Sequence, residues 1–162
     1  MIQVTETGTV LDRIIARTAL DLAVREAQTP RSELQARLMS APPIVDVVSA
    51  LEQDNVAVIA EVKRASPSKG RFPVEIDPAS VARSYIRGGA AMISCLTDGP
   101  FFQGSLEDLD EVVAVASATA SPVGVLRKDF MIDEYQIDEA RLHGASCILL
   151  IAACLSDESL RR

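Results

Sequence analysis

The chain has 162 residues, 48% of them hydrophobic, with no Trp and with 23 acidic against 16 basic side chains. A chain of this length buries roughly 68–70% of its unfolded surface and can build a core without staples, which argues against a small disulfide scaffold. The net charge of −7 lacks the basic surplus a general nucleic-acid binder needs, and the longest apolar stretches, such as Cys147 to Leu155, are too short to span a bilayer.

The pattern opens with an amphipathic helix over Thr9–Ala27, in which Leu11, Ile14, Ile15, Thr18, Leu22 and Ala23 recur at helical spacing between charges. These first thirty residues carry no apolar core of a secretory signal, so a cytoplasmic location is expected. A second short helix is predicted from Arg31 to Met39. Pro42-Pro43 is expected to open a third, with Ile44, Val47, Val48 and Leu51 on one face. Residues 1–52 thus read as a helical extension, and 53–162 as a different architecture.

There the continuous apolar run Val56-Ala57-Val58-Ile59-Ala60 predicts a strand buried on both faces, ending in Glu61 and Lys63. After a loop through Ser66-Pro67-Ser68-Lys69-Gly70, Asp77 caps a helix with Pro78 first, Val81, Ala82 and Tyr85 inward, and Gly88-Gly89 at its end. The unit recurs: Ala91–Leu96 is a strand, and Ser105 with Asp108 starts a helix using Leu109, Val112, Val113 and Ala116. Val123–Leu126 leads to Arg127-Lys128-Asp129, and Asp133 caps a helix stopping at Gly144. Cys147–Ala153 makes a fourth strand, and Ser156 a new cap. Strands starting near 56, 91, 123 and 147 give α/β repeats with a parallel sheet, either a small open sheet or half of a (β/α)8 barrel. The short last helix hints at truncation. Cys95, Cys147 and Cys154, odd in number and inside apolar runs, read as buried reduced thiols rather than disulfides or a zinc site.

Parallel βα folds bind ligands at the C-terminal ends of their strands, where this sequence puts Glu61 and Lys63, Thr97 and Asp98, and Lys128 and Asp129. Alternation puts Glu61 and Lys63 on one side and turns Asp129 away from Lys128, so Asp129 reads as structural. Between Glu61 and Phe72 stand Lys63, Arg64, Lys69 and Arg71 against Glu61 alone, a local charge reversal that favours an anionic small molecule or, more blandly, a solvated loop with a structural ion pair. His143, just before Gly144, reads as a helix-end cation.

The segment Ile59-Ala60-Glu61-Val62-Lys63-Arg64-Ala65-Ser66-Pro67-Ser68-Lys69-Gly70 resembles the signature of the indole-3-glycerol phosphate synthases. So do Ser94-Cys95-Leu96-Thr97-Asp98 with Phe102-Gln103-Gly104-Ser105-Leu106, Val125–Phe130, Tyr135-Gln136-Ile137 with Glu139-Ala140, and Gly144-Ala145. Because the likeness covers nearly the whole chain in order, it implies a (β/α)8 TIM barrel with a helical N-terminal extension, here incomplete, with 53–162 as its first half. It also implies an enzyme of tryptophan biosynthesis, a carboxy-lyase that uses neither a metal nor an organic cofactor. The implied substrate is a phosphorylated, anthranilate-derived small molecule, 1-(2-carboxyphenylamino)-1-deoxyribulose 5-phosphate.

On the family pattern Lys128 is the general acid, Lys63 an active-site cation holding anionic groups of the substrate, and Glu61 the carboxylate that orients Lys63 and a substrate hydroxyl. Ser66 matches a position that helps close the site, and Phe102 an apolar wall against the aromatic ring. The family's base, its Asn-x-Arg-like and Glu-Ser-Gly-like elements and its phosphate-binding amides belong to later strands. The isolated chain is therefore expected to be inactive and to self-associate through strand edges. The competing expectations are a non-catalytic half-barrel docking with a separate C-terminal half, and another phosphate-handling barrel enzyme.

Overall fold

A computed structural model describes residues 4–52, 54 and 56–162; Gln53, at the expected boundary between extension and barrel, lies outside them. Four strands, β1 (Ile59–Val62), β4 (Met92–Leu96), β5 (Gly124–Lys128) and β6 (Cys147–Ile148), form one parallel sheet in chain order. Each is joined to the next through helix: α4 (Pro78–Arg87), α6 (Leu106–Ser117) and α7 (Glu134–Leu142). Consecutive parallel strands linked this way are βα units of the kind that build a (β/α)8 barrel.

The helices form where their caps dictate. Asp77 accepts from the Ser80 N–H with Pro78 in the first turn, Ser105 from the Asp108 N–H, and Asp133 closes a capping box with Gln136. Gly144 ends α7 at φ +79°, with Val113 and Pro42 so close that a Cβ would meet them at 2.7 and 3.2 Å. One face of the sheet packs Val62, Ile93, Cys95 and Val125 against Ala82, Leu109, Val112, Val113 and Ala116 of α4 and α6. By alternation Glu61, Ser94, Leu96 and Lys128 face the other side.

Before the sheet come α1 (Val10–Gln28), capped by Thr9, α2 (Arg31–Arg37), a 3-10 turn over Leu38–Ser40, and α3 (Val47–Leu51). Helix α1 sets Ile15 and Leu22 into a second core with Leu34, Ile132, Tyr135, Cys154 and Leu155. The Tyr135 hydroxyl donates to the carbonyl of Thr29, 3.1 Å away, and fixes the turn after α1. Among the described residues no helix is long and apolar enough to cross a membrane.

Several expected boundaries move. The first strand begins at Ile59, not Val56: Val56 is 92% exposed, and Val58 and Ile59 are about half exposed. As the sheet's first strand, β1 pairs with β4 alone among the described residues, and the exposure of Val58 and Ile59 shows that the apolar run is not covered on both faces. The third helix starts at Val47 rather than at Pro42-Pro43, because the Asp46 carboxylate accepts from the N–H groups of Val48 and Ser49; Ile44 and Val48 stay exposed. The fourth strand is only Cys147–Ile148, followed by a 3-10 turn at Ala152–Cys154, since among the described residues it too has a single neighbour, β5. The third strand, by contrast, runs on through Arg127 and Lys128. Two elements were not expected: the ribbon β2 (Ala65–Ser66) with β3 (Gly70–Arg71), and the single turn α5 (Gly99–Phe102) capped by Asp98. Ser156 caps α8 (Asp157–Arg161) as expected.

Candidate active site

Glu61 lies within β1, Lys63 one residue beyond its end and Lys128 at the end of β5, two strands away. Their side chains meet. Glu61 Oε1 is 2.7 Å from Lys63 Nζ, and Glu61 Oε2 accepts a hydrogen bond from Lys128 Nζ. Each carboxylate oxygen thus holds one ammonium, and the three side chains remain 27–37% exposed, open to a ligand. Partial burial pushes the Glu61 carboxyl upward, but the hydrogen bonds and charges of Lys128 and Lys63 outweigh it and hold the group below the usual glutamate range. Two ammonium groups around one carboxylate leave a net positive charge of about one at this end of the sheet, a field suited to an anion.

The supports come from neighbouring elements. The Tyr85 hydroxyl of α4 donates to the Glu61 carbonyl at 3.0 Å, and Lys63 Nζ lies 5.9 Å from the centroid of the Phe72 ring. Arg64 forks onto the Asp108 carboxylate at the start of α6, tying the segment after β1 to the next βα unit. Ser66 stands in the β2–β3 ribbon, where its hydroxyl accepts from the Lys69 N–H at 3.3 Å. Phe102 lies in α5, which packs against β2, and its ring meets Phe130 at 5.9 Å between centroids. So the geometry brings Glu61, Lys63 and Lys128 into contact, while Ser66 and Phe102 stand on the ribbon strand β2 and the helical turn α5 that packs against it.

Behind this cluster, on the helix-facing side, lies a polar network. Arg127 is fully buried. Its guanidinium donates to Thr97 Oγ1 (3.1 Å), Asp129 Oδ2 (2.9 Å) and the Gln136 carbonyl (3.1 Å), and lies 2.8 Å from Glu139 Oε2. Asp129 does turn away from Lys128: it accepts from the Thr97 hydroxyl and from the Phe130 N–H, at 2.6 and 2.8 Å. Arg25 of α1 reaches Glu139 Oε1 at 3.2 Å, joining the helical extension to the network. Asp98 is pushed up by burial and by the neighbouring Asp129 charge, and its carboxylate caps α5. His143 ends α7 beside Asp110, at 2.7 Å, remote from the lysines in the topology. Cys95 is buried within the core, its thiol pushed up to about 12 by desolvation, and all three cysteines are free. The sequence does not pair Arg127 with Glu139; a charged residue two positions after Val125, on the same helix-facing side of β5, is the available signal.

Fold and site define a chain of the (β/α)8 class with its charged groups gathered at the C-terminal ends of the strands. Residues 11–162 match the family model described as indole-3-glycerol phosphate synthase, and the chain belongs to that family. It is 51% identical over 153 residues to proteins of that name from Mycobacterium ulcerans and Mycobacteroides abscessus, and 49% to the one from Mycobacterium tuberculosis. Each match covers 94% of this chain and 54% of the relative, so the chain spans about half the length of the curated relatives it matches.

Proposed function

We propose that this chain carries the lysine–carboxylate half of an indole-3-glycerol phosphate synthase site. The reaction converts 1-(2-carboxyphenylamino)-1-deoxyribulose 5-phosphate into indole-3-glycerol phosphate, carbon dioxide and water. The observation that carries the reading is the grip of Lys63 and Lys128 on the two oxygens of Glu61. Ring closure joins the aromatic carbon bearing the carboxylate to the substrate's ketone carbon, so the ketone oxygen needs a proton as the new bond forms. Lys128 is the proton donor in this reading, and an ammonium already hydrogen-bonded to a carboxylate is oriented for that task. Lys63 holds the substrate's negative charge, and Glu61 keeps the two ammonium groups apart and aimed. Loss of carbon dioxide restores the aromatic ring, and loss of the hydroxyl as water, with a proton leaving the neighbouring nitrogen-bound CH2 carbon, completes the indole.

Ser66 is read as part of the loop closing over the substrate, and Phe102 as the wall against its aromatic ring; both lie on elements that pack together beside the cluster. A second reading, docking of this chain with a separate C-terminal half-barrel, is favoured by the exposed Val56, Val58 and Ile59 along the open side of β1.

The test supplies the substrate to the chain alone and to the chain mixed with the C-terminal portion of the Mycobacterium tuberculosis relative, and follows product fluorescence. Turnover in the mixture that falls ~100-fold or more in Lys128→Ala is expected. No turnover even in the mixture refutes the enzymatic reading.

A further inference from the structure

We propose that Thr97 is the positioning residue for Lys128, fixing through one side chain and one N–H the stretch of β5 from which the lysine projects. The proposal rests on the reading of Lys128 as proton donor and adds to it the device that holds that donor in place.

Thr97 follows β4 directly and bonds three consecutive residues of the neighbouring strand. Its N–H donates to the Lys128 carbonyl at 3.1 Å. Its hydroxyl accepts from Arg127 Nε at 3.1 Å and donates to Asp129 Oδ2 at 2.6 Å. A hydroxyl has one proton to give, and here the carboxylate takes it, so the guanidinium is left to approach a lone pair. Residues 127, 128 and 129 are thereby held from a single point, Lys128 by its main chain and its two neighbours by their side chains. Thr97 is itself 8% exposed, so water does not compete for these bonds.

Alternation gives the arrangement its effect. Arg127 and Asp129 point to the helix side and are locked there by Thr97, Gln136 and Glu139. Lys128 must then point to the opposite side, toward Glu61. A lysine has a flexible four-carbon stem, so its ammonium is placed only as well as its backbone is. Leu96, the residue before Thr97, is the register partner of Lys128, which puts the staple at the rung of the sheet that carries the lysine. A threonine that merely filled the core would not need its hydroxyl shared between an arginine and an aspartate on either side of that lysine.

The experiment follows the Glu61 side-chain carboxyl by 13C NMR as pH is lowered, with its signal assigned by Glu61→Gln and a reference for loss of the lysine from Lys128→Met. Glu61 faces Lys63 and Lys128, so its titration reports the grip of the lysines without any need for turnover. In Thr97→Val, which keeps the N–H and removes the hydroxyl, the titration midpoint is expected to move up toward the Lys128→Met value. In Thr97→Ser, which restores the hydroxyl, it returns to the wild-type position. In the mixed turnover assay, Thr97→Val is expected to lower kcat about 10-fold with little change in KM. A Thr97→Val chain that keeps the wild-type amide spectrum and the wild-type Glu61 midpoint overturns the proposal, because a purely structural threonine alters stability alone. If Thr97→Val does not fold, Thr97→Cys, of similar volume, takes its place under the same criteria. Absence of turnover in wild type, with the midpoint shift present, overturns the functional reading and leaves the positioning result standing.

Discussion

Replacing Arg127 by Met removes a guanidinium that is fully buried and lies within 2.8–3.1 Å of Thr97, Asp129, Gln136 and Glu139. Methionine fills much of the same volume, so the packing loss is small and the effect comes from the carboxylates left behind. Breaking a buried pair by deleting one partner costs about 3–5 kcal/mol. Here the lower end applies, because neither carboxylate is stranded outright. Asp129 keeps the Thr97 hydroxyl and the Phe130 N–H, and Glu139 keeps Arg25 at 3.2 Å. A loss of ~3 kcal/mol is a large fraction of the 5–15 kcal/mol available to a domain. Urea unfolding followed by circular dichroism should show it as a lower midpoint at unchanged slope. The double variant Arg127→Met with Asp129→Asn should be less destabilised than the sum of its singles, since one unpaired charge has gone with the other. A loss below ~1 kcal/mol, or strict additivity of the two substitutions, would refute the view that charge pairing holds this layer together.

Gly104→Ala should be severe, because a Cβ there would lie 2.1 Å from the Leu96 carbonyl oxygen and 2.7 Å from its carbon, both main-chain atoms that cannot turn aside; a thermal-melt loss of ~2 kcal/mol or more checks it. The Glu61 carboxyl is held below its ordinary value, so its lysine contacts contribute stability that is present above that value and lost as pH falls through the lowered folded-state one. Acid unfolding of Glu61→Gln should accordingly be less steep than that of wild type, and identical profiles would count against the contacts. Iodoacetamide at pH 8 should label Cys147 well before Cys95, whose buried thiol is pushed up to about 12; mass spectrometry of the peptides reads the order, and early Cys95 labelling contradicts the packing.

The alternation of helix and strand was legible because local chemistry decides it. Asp77, Ser105, Asp133 and Ser156 each satisfy an orphan N–H of the helix they begin, and those starts stand where the sequence put them. Strand limits were less legible, since a strand exists only as far as a neighbour pairs with it. Val56 to Val58 have the composition of a buried strand, yet β1 begins at Ile59, where the ladder with Met92 begins. Cys147 to Ala153 is equally apolar, yet only Cys147 and Ile148 find partners on β5. Hydrophobicity marks what a strand is able to bury, and pairing marks what it does bury.

The same distinction separates the two halves of the site. Glu61 and Lys63 were readable as a pair because charges at strand ends have few structural uses and a period of two puts them on one side, while Lys128 joined them through the family resemblance. Arg127 is one residue from Lys128 and just as charged, but nothing local says that its partners are Thr97 from the strand before and Glu139 from the helix after. Its position between Val125 and Asp129 on the helix-facing side carries the missing inference. A guanidinium there cannot reach water, so the residues around it must supply carboxylates and carbonyls, and the chain does so with Asp129, Glu139 and Gln136. Strand β5 therefore presents two cations in succession to opposite sides of the sheet. The exposed one is free to meet a ligand because the buried one has committed its neighbours to the protein.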